Sequence, residues 1–303
     1  MAGAGQPSYL KLYREGHLPD RSEKFTGILK NCNLCPRNCR INRIKGEKGI
    51  CRTGRNAMVS SFSPHFGEER PLVGMKGSGT VFFTNCNLLC NFCQNYDISH
   101  LGHGEEVSAG QLADIMLYLQ KIGCHNINLV TPTHVIPQII EALIIAIEKG
   151  LQLPIVYNCG GYDSVESLRL MEGVIDIYMP DFKFWDNRYA QMTCGVNDYR
   201  EIALSAINEM YRQVGDLEID EAGIAVKGLL VRHLLMPGKI AGTEHIIDFL
   251  ADLSKETYLN IMAQYRPCGN SVHIDQLARR ISVDQYNDAL NYALQRGLGR
   301  LDL

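Results

Sequence analysis

Between residues 80 and 265 the sequence alternates short apolar runs with amphipathic helical stretches, and no other feature limits the fold as much. The strand-like runs cover 80–83, 127–132, 154–159, 176–182, 228–236 and 258–265. Helical patterns fill 108–122, 135–149, 164–172, about 198–214 and 243–253, and 275–296 reads as one or two closing helices. Near-continuous apolar runs belong to buried parallel strands, and the helices between them supply the long crossovers such strands require. Six such units make either an open α/β sheet or most of a barrel, and periodicity does not separate the two.

Ahead of residue 77 the texture changes. Residues 29–75 are rich in Cys, Arg, Asn, Gly and Pro and carry few long apolar runs. Such a stretch has little core of its own and needs a staple. The expected division is therefore a Cys-rich N-terminal segment, 1–76, and a barrel unit, 77–303, with Gly77 and Gly79 as the hinge between them. Within the segment, "SPHFGEERPLVG" (63–74), which holds His65, Glu68 and Glu69, reads by default as a solvated charged loop, with a cap over the active site as the other reading.

Seven of the eleven cysteines fall between residues 32 and 93, in two tight groups. Clustered cysteines in a reducing compartment point to metal rather than disulfides, and the scattered Cys124, Cys159, Cys194 and Cys268 read as small buried apolar residues. A net charge of -3 gives no electrostatic case for nucleic acid or an anionic membrane. The opening "MAGAGQPSYL" lacks a charged and then apolar leader, and the apolar run at 135–150 holds Pro137 and Glu141, so a cytoplasmic protein is expected.

The first group, Cys86, Cys90 and Cys93, has Cx3Cx2C spacing and leaves the first strand, where α/β folds place their chemistry. Three thiolates hold three irons of a [4Fe–4S] cube or three corners of a zinc tetrahedron, and either way one coordination position stays open. The second group, Cys32, Cys35, Cys39 and Cys51, is spaced Cx2Cx3Cx11C. Four thiolates close a site, which is structural zinc or a second [4Fe–4S] cluster.

Three further positions stand out by cost. Asp181 and Lys183 alternate on one face of an apolar strand while Phe182 and Phe184 face the other way, and Arg232 sits inside the buried-type run "LLVRHLLMPG". Buried charges of this kind need a partner or a polar cavity. His233 points to the opposite face and reads as structural, as does His134.

The Cx3Cx2C loop with Phe92 before its last cysteine resembles the cluster loop of the radical S-adenosylmethionine (SAM) superfamily. The following "QNYDIS", with "YNCGGY", "YMPDFK" and "VRHLLMPG" in order downstream, is similar to the pyruvate formate-lyase activating enzyme-like (PflX-type) branch. The resemblance implies a partial (β/α)6 TIM-like barrel with a small N-terminal Cys-rich metal-binding domain. It implies that SAM chelates the fourth iron and is cleaved by one electron to a 5′-deoxyadenosyl radical that abstracts hydrogen. It also implies an electron donor such as flavodoxin or ferredoxin. The superfamily's glycine-rich SAM segment after the second strand reads "LVTPTH" here, so Thr131, Thr133 or backbone carbonyls take its place. By the same resemblance Asn158 faces the ribose, Asp181 and Lys183 meet SAM and a nearby cation, Arg232 takes the SAM carboxylate, and Gln264 and Tyr265 lie on the adenine side. The substrate, protein or small molecule, is not named. A glycyl-radical activase and a non-catalytic iron–sulfur or zinc protein are the rival readings, and the latter has no use for Asp181, Lys183 and Arg232.

Overall fold

A computed structural model describes residues 6–302; the first five residues of the leader reading and the final residue lie outside it. Nine strands form one mixed sheet: β1 (Ala57–His65), β2 (Ser78–Phe83), β3 (Glu105–Val107), β4 (Ile127–Val130), β5 (Ile155–Cys159), β6 (Ile177–Pro180), β7 (Glu218–Ile219), β8 (Ala225–Leu234) and β9 (Tyr258–Met262). The pairs β2–β4, β4–β5, β5–β6, β6–β8 and β8–β9 are all parallel, so the six apolar runs do form one parallel array. β1 and β3 extend its first edge in antiparallel fashion, and β7 lies antiparallel on β8.

The array is curled. Flat, β1 and β9 would stand six strand spacings apart, about 29 Å. Yet Glu69, four residues beyond the end of β1, accepts a 2.8 Å hydrogen bond from Asn260 on β9. Four residues reach about 14 Å at most. The two edges are therefore brought round towards each other, which is consistent with a partial barrel.

Two apolar clusters lie on the two faces of the array. The larger one joins the strands to the helices, and the smaller gathers Val156, Ile177, Met179, Leu230 and Tyr258 around Leu72. Leu72 belongs to a short helix, Arg70–Val73, whose Leu72 carbonyl accepts from the Asn126 side chain just before β4. Leu72 thus plugs the end at which the strands begin.

The crossover helices start where their sequences say. Ser108 caps Ala109–Lys121 in a reciprocal box with Gln111, Pro137 opens Ile136–Glu148, and Ser164 caps Val165–Leu170. The closing stretch contains one helix, Val283–Gln295, boxed by Ser282 and Gln285. No helix among the described residues is long and apolar enough to cross a membrane.

The chain ahead of residue 77 shares the barrel's core. Helices Ser8–Arg14 and His17–Ile28 bury Tyr9, Leu10, Leu18 and Phe25 in the main cluster. Ser8 N donates to Asp176 Oδ1 at 2.8 Å, and the Tyr9 hydroxyl donates to the Leu153 carbonyl at 2.9 Å. Within 29–75, the stretch read as having little core of its own, Cys32, Leu34, Ala57 and Val59 are likewise buried in that cluster.

Candidate functional site

β2 ends at Phe83, and the chain turns sharply through Asn85 (φ 74°) and Leu89 (φ 55°), both in the left-handed region. Those two bends fold Cys86, Cys90 and Cys93 into one loop. Buried Leu88 and Phe92 anchor it, Phe92 packing edge-on against Phe184 at 5.8 Å. Leu88 N donates to Cys86 Sγ at 3.3 Å. Burial pushes the Cys86 thiol up to about 12 and raises Cys93 as well. Such thiols give up their protons only to a positive charge, which is what a metal centre supplies.

At the ends of β6 and β8 the three buried charges form one network. Arg232 Nε donates to Asp181 Oδ1 at 2.7 Å, Lys183 Nζ to Asp181 Oδ2 at 2.5 Å, and Arg232 Nη2 to Asn158 Oδ1 at 2.7 Å. Burial works to raise Asp181, but Arg232 and Lys183 hold its carboxyl below the usual range. Gly160 lies between the two groups, since a Cβ there would stand 3.3 Å from Leu88 Cδ2 of the thiol loop and 3.7 Å from Lys183 Cε, so the network and the thiol loop belong to one site. Gly161 lets the turn after β5 pack against the end of β6: its φ is +75°, and an added Cβ would collide with the Asp181 carbonyl.

The other expected contacts divide. Thr131 closes β4 in a left-handed conformation (φ 61°), which is costly for a β-branched residue and typical of functional positions. Thr133 instead donates to Asp163 at 2.8 Å. Gln264 is exposed, and its carbonyl accepts from Gln94 of the thiol loop. Tyr265 is buried beside Phe92 with its hydroxyl on the Leu277 carbonyl, so it supports the loop from behind. His233 is spent on Phe182 and Thr243, on the face away from Arg232. His134, buried and held neutral, bonds the Thr84 carbonyl at 3.0 Å.

Two acids went unread as site residues. The 66–70 stretch crosses the seam between β1 and β9 as a strap, with Glu68 Oε2 3.6 Å from Arg232 and Glu69 only 3% exposed. No spacing rule marks them, because loop residues carry no period. Cys194, at the end of helix Asn187–Cys194, is a second surprise: its sulfur stands 3.3 Å from that of Cys90. Cys268 likewise donates to the Phe92 carbonyl at 3.0 Å.

Cys32, Cys35, Cys39 and Cys51 line one cavity together with Arg43 and His134. Gly49 lets the loop close, since a Cβ there would stand 2.8 Å from Cys39 Sγ. Arg43 is 1% exposed, and among the described residues its guanidinium bonds the carbonyls of Gly54 and His134 and no carboxylate. A buried cation without a carboxylate needs an anion, and four thiolates around a metal would carry such a charge. Among the described residues no three His, Cys, Asp or Glu side chains are gathered as a single-ion site. Arg37 joins the two cysteine groups: its guanidinium donates to the Asn87, Leu88 and Cys194 carbonyls at 2.8, 3.1 and 2.7 Å.

The family description "Radical SAM superfamily" matches residues 80–250. An uncharacterized protein of Methanocaldococcus jannaschii is 32% identical over 276 residues, which span 88% of this chain and 75% of that protein.

Proposed function

The chain belongs to the radical SAM superfamily, and on that premise we propose that Cys86, Cys90 and Cys93 hold a [4Fe–4S] cluster whose remaining iron binds SAM, in an enzyme of the pyruvate formate-lyase activating enzyme-like branch. The observation that carries this reading is the meeting of the thiol loop with the Asp181–Lys183–Arg232 network at the mouth of the barrel. When bound, cluster and SAM supply a 5′-deoxyadenosyl radical for hydrogen abstraction. The chain's own residues do the holding. Arg232 offers a fork to the SAM carboxylate, and Asp181 and Lys183 fix that fork in place. Asn158 and the left-handed Thr131 present polar groups at the neighbouring strand ends, while Leu88 and Phe92 keep water from the loop. Gln264 and Tyr265 close the far side.

Cys32, Cys35, Cys39 and Cys51 hold a second centre in this reading. Zinc and a [4Fe–4S] cluster both suit four thiolates, and the reading leans to iron–sulfur because the chain is already read as an iron–sulfur protein. The ordered motifs support the branch, and the substrate remains open between protein and small molecule.

The test is anaerobic reconstitution with iron, sulfide and SAM, followed by assay for 5′-deoxyadenosine. Wild type releases it under a strong reductant, and Cys90→Ala abolishes it. Cleavage retained in Cys90→Ala removes the assignment.

A further inference from the structure

The thiol loop is flanked by a thiol that the functional reading does not use. Cys194 is 5% exposed, and its sulfur lies 3.3 Å from that of Cys90. Backbone groups hold the two together. The Asn91 amide donates to the Thr193 carbonyl at 2.8 Å, and Arg37 donates to the carbonyls of Cys194 and Gly195 at 2.7 and 2.9 Å. Gly195 ends the helix in the left-handed region (φ 63°), with its amide on the Gln191 carbonyl. The end of helix Asn187–Cys194 is therefore pinned to the loop beside Cys90, and Cys194 leaves Cys90 only if these bonds break.

Chemistry sets the direction of the contact. The Thr193 hydroxyl donates its one proton to the Tyr189 carbonyl at 2.6 Å, so it meets Cys194 Sγ, 3.5 Å away, only as an acceptor. A Cys90 sulfur bound to iron has no proton and also only accepts. A Cys194 thiolate would set two negative sulfurs 3.3 Å apart and away from water, so the proton stays on Cys194. The S–H donor of the group is thus Cys194, and its nearer acceptor is Cys90. A hydrogen bond onto a ligand sulfur favours the more negative, reduced state of a cluster and so raises its potential.

We propose that the Cys194 thiol donates a hydrogen bond to iron-bound Cys90 and thereby sets the potential at which the SAM-site cluster takes its electron. The proposal rests on the functional reading above. Cys194 is a positioning residue that acts through Cys90. Without its bond the cluster is harder to reduce and, once reduced, a stronger reductant.

The experiment uses the full reconstituted chain as wild type, Cys194→Ala and Cys194→Ser. Each is poised at a series of potentials, and the reduced cluster is read by electron paramagnetic resonance in the part of the signal that added SAM changes. At the wild-type midpoint the reduced-to-oxidised ratio is expected to fall about tenfold in Cys194→Ala, a displacement of about 59 mV to more negative potential for one electron. In Cys194→Ser, whose hydroxyl still donates, the ratio should return to the wild-type value or exceed it. Iron and sulfide content should match in all three proteins. Equal midpoints in wild type and Cys194→Ala overturn the proposal, as does an equal fall in Cys194→Ala and Cys194→Ser, which a mere packing role predicts. Loss of iron from a folded Cys194→Ala protein, to the level of Cys90→Ala, makes Cys194 a ligand and overturns it too. A wild type without any SAM-responsive cluster removes the functional reading itself, and the proposal with it, which an unchanged midpoint does not.

Discussion

Asp181 holds two cations at once, Lys183 through one oxygen and Arg232 through the other. Its folded value is depressed, so these pairs stabilise the fold above the ordinary carboxylate range, and the contribution disappears as pH falls through the depressed value. Replacing Asp181 with Asn leaves two buried cations short of a partner, at a cost of about 3–5 kcal/mol near neutral pH. The gap to wild type should close as the medium is acidified below the carboxylate range, which urea unfolding at neutral and acid pH measures. A gap that persists unchanged in acid would mean that the pair is not ionised in the folded protein. The cost of placing Asp181, Lys183 and Arg232 in apolar strands made all three visible in the sequence. Glu68 and Cys194 gave no such signal. Glu68 sits in a loop whose position depends on the whole barrel, and Cys194 reads as an ordinary buried thiol until its distance to Cys90 is known.

At the level of elements, the six parallel strands were legible because both of their faces are buried, which leaves continuous apolar runs. β1 was not, since "AMVSSFSPH" is covered by β3 along its first three residues alone and carries polar and exposed positions in its second half. Helices Ser8–Arg14 and His17–Ile28 escaped for a related reason, each burying only a narrow stripe. The short helix Arg70–Val73 matters out of proportion to its length, because Leu72 is fully buried among residues from β5, β6, β8 and β9. Leu72→Ala should therefore destabilise by about 2–5 kcal/mol in denaturant unfolding. An exposed loop leucine would cost less than about 0.5 kcal/mol, so the measurement separates a plug from a solvated loop.

Across the whole molecule, the two cysteine groups are neighbours although Cys51 and Cys86 lie 35 positions apart in sequence. Spacing alone showed that each group could bind metal. That Arg37 would tie them together could not be read, because its four carbonyl partners come from the thiol loop and from the end of a helix beyond residue 190. A Cys86/Cys90/Cys93 triple Ala variant should still purify with metal at the N-terminal site, identified by elemental analysis as iron with sulfide or as zinc. A folded variant free of metal would remove that centre from the molecule. The strap and the plug bear on something else again. With Leu72 filling the end where the strands begin and residues 66–70 drawn across the seam, the described residues leave the barrel to be entered from the end where the strands finish. Two molecules that share such a passage must queue: the first to enter is the last to leave, and turnover waits on the order of arrival.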